Sequence, residues 1–135
     1  MPRRLLTTAI LLGLIAMPHP SDASPLAHYK WKNRLLVVTG PDDPTAQQQR
    51  RIYEAANAGM AERQILLLQA VDDATSSRQL RAAVGTDGRR FMVFLIGKDG
   101  HTAFASETPI SAEDLFNRVD AMPMRKDEMR RTRSR

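Results

Sequence analysis

The stretch RLLVVTGPDDPTAQQQRRI, residues 34–52, decides the architecture. Leu35, Leu36, Val37 and Val38 form a continuous apolar run, too short for a buried helix and suited to a strand covered on both faces. Thr39-Gly40-Pro41 breaks it. Asp43 then offers a side-chain oxygen to the first turn of a helix, and Pro44 fits the first helical position, where its missing N–H costs nothing. The stretch therefore reads as strand, tight joint, helix. Ile52, Ala55, Ala56, Gly59 and Met60 continue that helix along one apolar face, with Gly59 expected near its C-terminal cap.

Working outward, two more apolar runs read as buried strands: ILLLQAV at 65–71 and FMVFLI at 91–96. Residues 101–106 alternate, with Thr102, Phe104 and Ser106 on one side, as in a half-exposed strand. Gly97-Lys98-Asp99-Gly100 joins the last two strands as a tight hairpin. Ser76-Ser77-Arg78-Gln79 has the pattern of a capping box, Leu80, Ala83 and Val84 form the stripe of a second helix, and Gly85 ends it. Ser111 opens a third, with stripe Leu115, Phe116, Val119 and Met122. Pro123 must stop or kink it, and a short helix from Met124 to Arg131 is expected beyond.

The order is β-α-β-α-β-β-α. A right-handed first crossover makes the first two strands parallel, and the hairpin makes the last two antiparallel. The economical solution is a mixed four-stranded sheet, order 2-1-3-4, with helices on both faces, which is the thioredoxin-like arrangement. That order puts the second strand at an edge, where an uncovered apolar strand invites aggregation. Leu26, Tyr29 and Trp31 are the expected cover.

The ends carry different information. Arg3 and Arg4 precede an apolar segment broken by Pro18 and Pro20, and Ser21-Asp22-Ala23 supplies small residues for cleavage. Residues 1–23 read as a secretory signal peptide, so the protein is expected in the periplasm or outside the cell, with no transmembrane span after cleavage. Residues 24–123 form the thioredoxin-like domain. Residues 124–135 form a basic tail, expected to be helical and then disordered. The net charge of +5 is unevenly spread. Residues 24–124 hold 12 basic and 12 acidic side chains, so that body is neutral. Arg125, Lys126, Arg130, Arg131, Arg133 and Arg135 make the tail a candidate binder of an anionic polymer through charge alone.

Three segments, YKWKNRLLVV from Tyr29, FLIGKDG from Phe94 and DAMPMRKDEMRR from Asp120, together resemble the bacterial domain-of-unknown-function family 4174. That family is similar to the peroxiredoxin-like repeats of extracellular matrix proteins such as equarin. The resemblance implies a thioredoxin-like fold and export. It implies no established activity and carries over no catalytic residue.

The chain has no cysteine, so the thiolate that redox members of such folds place at the strand-to-helix joint is absent. Thr39, Asp42 and Asp43 occupy that joint, and no proline precedes the third strand, where Arg89 and Arg90 stand. Asp72 and Asp73 follow the second strand at the same end of the sheet. These seven residues form the candidate binding cleft, for an anion, for a hard cation held by the carboxylates, or for cysteine-independent catalysis. The simpler role for Asp43 is a helix cap, and for Asp72-Asp73 a turn. His28 and His101 lack the spacing of a zinc pair. No cofactor is expected, and the reading is a non-enzymatic interaction module of the cell envelope without thiol oxidoreductase activity.

Overall fold

The computed structural model describes residues 24–135; the expected signal peptide lies outside the described residues. Strands β1 (Arg34–Thr39), β2 (Ile65–Ala70), β3 (Met92–Ile96) and β4 (Thr102–Ser106) form one sheet in the order β2-β1-β3-β4. β1 runs parallel to β2 and antiparallel to β3, and β3 runs antiparallel to β4. This is the thioredoxin-like topology that the order of elements predicts.

The helices are α1 (Pro44–Ala55), α2 (Asn57–Glu62), α3 (Thr75–Val84), α4 (Ala112–Asp120) and α5 (Pro123–Arg133). Successive side chains of a strand face opposite ways, so β1 and β3 feed two cores. Leu36, Val38, Val93 and Leu95 pack with Met60, Leu115 and Val119 from α2 and α4. Leu35, Val37, Phe94 and Ile96 pack with Leu80 of α3 and with Leu26. Helices thus cover both faces. Among the described residues no helix is long and apolar enough to cross a membrane.

Local chemistry fixes the joints. Asp43 caps α1 by accepting from the Ala46 amide at 2.9 Å, with Pro44 at the first position. Ser111 caps α4 in the same way through the Asp114 amide. Gly85 ends α3 in the left-handed conformation. Gln49, buried in α1, both donates to the Ile110 carbonyl at 3.1 Å and accepts from its amide at 2.7 Å. It thereby staples α1 to the segment entering α4.

Five expectations need correction. The first helix is two: the chain breaks at Ala56, and Gly59 lies inside α2 rather than at its cap. The Phe116 ring explains Gly59, since a Cβ there would lie 2.5 Å from Phe116 Cζ. The Ser76 capping box does not form: α3 begins at Thr75, and Asp72 takes the Ser77 hydroxyl at 2.6 Å and the Ala74 amide at 3.0 Å. β2 is not buried on both faces, because it is an edge strand and Leu66 lies in the open. Leu26 and half-buried Tyr29 join the core on that side, but Trp31 is 62% exposed. Trp31 has a positive φ of 67° and donates its amide to the Lys98 carbonyl at 2.7 Å, which turns its ring away from the sheet. Finally, the expected last helix runs on to Arg133, and Arg125, counted among the free cations of the tail, is buried.

Candidate functional site

The seven residues of the sequence-derived cleft lie at the carboxyl end of β1, and the structure brings together their backbone more than their side chains. Gly40, with φ +114°, lies so close to the next segment that a Cβ would stand 2.8 Å from the Arg90 carbonyl oxygen. Only glycine fits. The loop carrying Arg89 and Arg90 does therefore reach the β1–α1 joint. Its guanidinium groups do not pair with the aspartates. Arg89 points to solvent beside Asp87, while Asp42 is bound by Arg50 at 3.2 Å. Asp43 is occupied as the α1 cap, and Asp72 holds the turn into α3. Hydrogen bonds from the Ser77 hydroxyl and the Ala74 amide hold the Asp72 carboxyl below its ordinary value. Asp73 is exposed. Thr39 is fully buried, its hydroxyl 3.5 Å from the Met92 carbonyl. Among the described residues no three acidic or histidine side chains converge to hold a metal.

The concentrated chemistry lies at the other end of β1, about 17 Å away at roughly 3.3 Å per residue. Arg34, the first residue of β1, is 1% exposed. Lys98, just beyond β3, is 7% exposed. Both bind Glu128 of α5: Arg34 Nη1 at 3.2 Å, Nη2 at 3.3 Å and Lys98 Nζ at 2.6 Å. Lys98 also donates to the Gln64 side chain, and Arg34 Nη1 to the Arg63 carbonyl at 2.9 Å. The network continues. Arg125 of α5 donates to Asp120 at 3.1 Å and to Glu62 at 3.0 Å, and Arg63 makes two bonds to Asp120 at 3.0 Å. The Arg63 guanidinium also covers the Phe116 ring, 4.1 Å from its centroid.

Burial pushes the Glu128 carboxyl up, but the hydrogen bonds and charges of Lys98 and Arg34 outweigh it and leave it below its ordinary value. Asp120 behaves alike: burial raises it, and Arg63 and Arg125 bring it down further. Both carboxylates are therefore ionised throughout the neutral range. Against this complementarity stand two unusual features. Arg34 Nε is buried and has no hydrogen-bond partner. Among the described residues, the non-glycine positive φ angles belong to Trp31 and Gln64, and both residues bond to Lys98. Such conformations cost about 1–3 kcal/mol each and persist only where the surroundings over-determine them.

A cavity of about 310 Å³ adjoins this network. Arg34 and Lys98 form one part of its wall, and Ala103, Met122, Pro123 and Met124 form an apolar part. Asp99 and His101 also line it, paired with each other at 3.5 Å.

Of these residues, sequence reasoning placed only Arg125 in a candidate site, and that as a free cation of the tail. The available signal was indirect. Arg34, Lys98, Asp120, Arg125 and Glu128 all fall within the three segments YKWKNRLLVV, FLIGKDG and DAMPMRKDEMRR, which fold from distant parts of the chain onto one another.

Comparison with known proteins places these segments in context. The family described as "Domain of unknown function (DUF4174)" matches residues 25–128, which include every member of the network. A curated relative, coiled-coil domain-containing protein 80 of Danio rerio, is 24% identical over 133 residues. The alignment covers 77% of this chain and only 15% of the relative. No solved structure is significantly similar.

Proposed function

The chain belongs to the DUF4174 family, and from that premise we propose that it is an exported thioredoxin-like domain that works by binding, as an interaction module of the cell envelope, in the periplasm or outside the cell. The observation that carries the reading is the convergence of Arg34, Lys98 and Glu128, from three separate segments, beside an open cavity. At the opposite end, the side chains at the joint where a redox member would hold its thiolate are a buried threonine, a capping aspartate and an aspartate paired to arginine. Export rests on the pattern of residues 1–23.

The test is affinity capture by the exported protein from its own cell envelope, alongside a Lys98→Met variant. A component retained by the wild type and lost with the variant supports the reading. Identical retention by both, or turnover of peroxide or insulin disulfides by the unaltered protein, overturns it.

A second reading has its own observation. Lys126, Arg130, Arg131, Arg133 and Arg135 are all exposed on or beyond α5. They make this end of the chain cationic, and Lys126, Arg130 and Arg133 share one side of α5. Arg125 leaves that set, because it is 5% exposed and bound to Asp120 and Glu62. Retention on heparin that weakens with salt and disappears when the five exposed cations become glutamine supports it. Retention unchanged by those substitutions refutes it.

A further inference from the structure

The cavity beside Arg34 and Lys98 has a chemical bias that names its ligand class. Hydrogen-bond donors exceed acceptors there. Arg34 is buried, and its Nε, sealed from solvent, has no hydrogen-bond partner within the fold. Lys98 bonds to Gln64 and Glu128, which leaves the third proton of its ammonium free. Charge points the same way. Glu128, the carboxylate that binds both lining cations, is already shared by Lys98, Arg34 and Arg125. Across the whole network four cations, Arg34, Arg63, Lys98 and Arg125, face three anions, Glu62, Asp120 and Glu128. Asp99 at the rim offsets little of this, since it is half-exposed to water and holds its own turn through the His101 amide at 3.0 Å.

The rest of the wall is apolar. Met122, Pro123 and Met124 come from the α4–α5 joint, and Ala103 from β4. Methionines are flexible and adapt to varied apolar shapes. A volume of about 310 Å³ is at the small end of the range for organic ligands.

We infer that this cavity binds a small organic carboxylate, its anionic head toward Arg34 and Lys98 and its apolar body along Met122, Pro123, Met124 and Ala103. The ligand would supply an acceptor to Lys98, whose ammonium is held in place beforehand by the strained Gln64. This deepens the binding reading above and rests on it. The two fail separately, because a protein that retained an envelope component but ignored carboxylates would lose only this site.

The probe is octanoate, with octan-1-ol as its neutral match, titrated into the purified full chain and followed by amide NMR. Octanoate is expected to shift the Lys98, Ala103 and Met124 resonances saturably, at least tenfold more tightly than octan-1-ol. Ala103→Phe fills the cavity from an exposed strand position without touching the charges, and is expected to weaken octanoate at least tenfold with an unchanged melting temperature. Lys98→Met is expected to remove the preference for octanoate over the alcohol; if it does not fold, Ala103→Phe still decides. Absence of saturable shifts, equal binding of acid and alcohol, or full binding by a folded Ala103→Phe would each overturn the assignment.

Discussion

Replacing Glu128 by glutamine tests whether α5 is part of the folded domain. The carboxylate accepts from Arg34 Nη1, Arg34 Nη2 and Lys98 Nζ. Glutamine keeps one acceptor oxygen and turns an NH₂ group toward two buried cations. Removing one partner of a fully buried pair costs about 3–5 kcal/mol, mostly because the other charge is left uncompensated. Here the loss is smaller for two reasons. The Glu128 side chain keeps 22% of its surface in water, and Lys98 and Arg34 retain the Gln64 side chain and the Arg63 carbonyl. About 2–3 kcal/mol remains. For a domain of this size that corresponds to a fall in Tm of about 8–12 °C. Thermal melts followed by circular dichroism at pH 7 and urea titrations should agree. Asp127→Asn is the control, since that carboxylate pairs only with the exposed Arg130, and it should cost less than about 0.5 kcal/mol. A Glu128→Gln variant melting within about 2 °C of wild type would refute a structural role for the network.

Four further outcomes are expected. Gly59→Ala should lose about 1 kcal/mol in a urea titration, because overpacking against Phe116 outweighs the gain in helix propensity; a stabilised variant would contradict the packing. Glu128 and Asp120 have lowered folded values, so their stabilising effect is complete above their ordinary values of 4.5 and 3.8 and is lost as pH falls through the lower folded values. An acid titration of stability should therefore decline below about pH 4.5 and less steeply in Glu128→Gln; an unchanged slope would separate the network from acid unfolding. Trp31 should fluoresce and be quenched by acrylamide like free tryptophan, and a blue-shifted, protected emission would show that it docks after all. A Thr39→Cys thiol should resist Ellman's reagent in the native state and react in urea, because the position is sealed; rapid native reaction would show an open joint.

What the sequence made legible was whatever depends on near neighbours. Asp43, Ser111 and Gly85 sit where caps are expected, because a cap satisfies amides or carbonyls within one turn. The strand order follows from chain connectivity and the handedness of the crossover. Misreadings arose where a distant partner decides. Ser76 is a local exception: α3 starts one residue earlier, at Thr75, and Asp72 accepts from the Ala74 amide and the Ser77 hydroxyl at its start. A charge count treats Arg125 and Arg130 alike, yet Arg125 meets Glu62 from a helix 63 positions earlier. A weak hint was present: Arg125 and Glu128 share one helix face with Met122 and Met129, a polar pair framed by apolar residues. Trp31 could not have been placed from its size. Its ring follows a backbone turn imposed by the Lys98 carbonyl, and no local pattern encodes a left-handed tryptophan.

The two ends of β1 differ in how their polar groups are satisfied, and that difference bears on where the binding proposed above would occur. At Thr39 the buried hydroxyl has a carbonyl near it, Asp43 has its amide and Asp42 its arginine. Each group there has a partner that ordinary folding supplies. At Arg34 the chain accepts a buried guanidinium, a buried ammonium, an unpartnered N–H and two residues in a left-handed conformation. Well-packed apolar residues in such positions are often neutral or more stabilising. A fold that needed only stability at this end would have simpler solutions. The buried cations make physical sense if Glu128 of α5 fixes Arg34 and Lys98 in place beside the cavity. The binding reading proposed above therefore places recognition at the Arg34 end, opposite the joint where a redox thioredoxin-like protein would keep its thiolate.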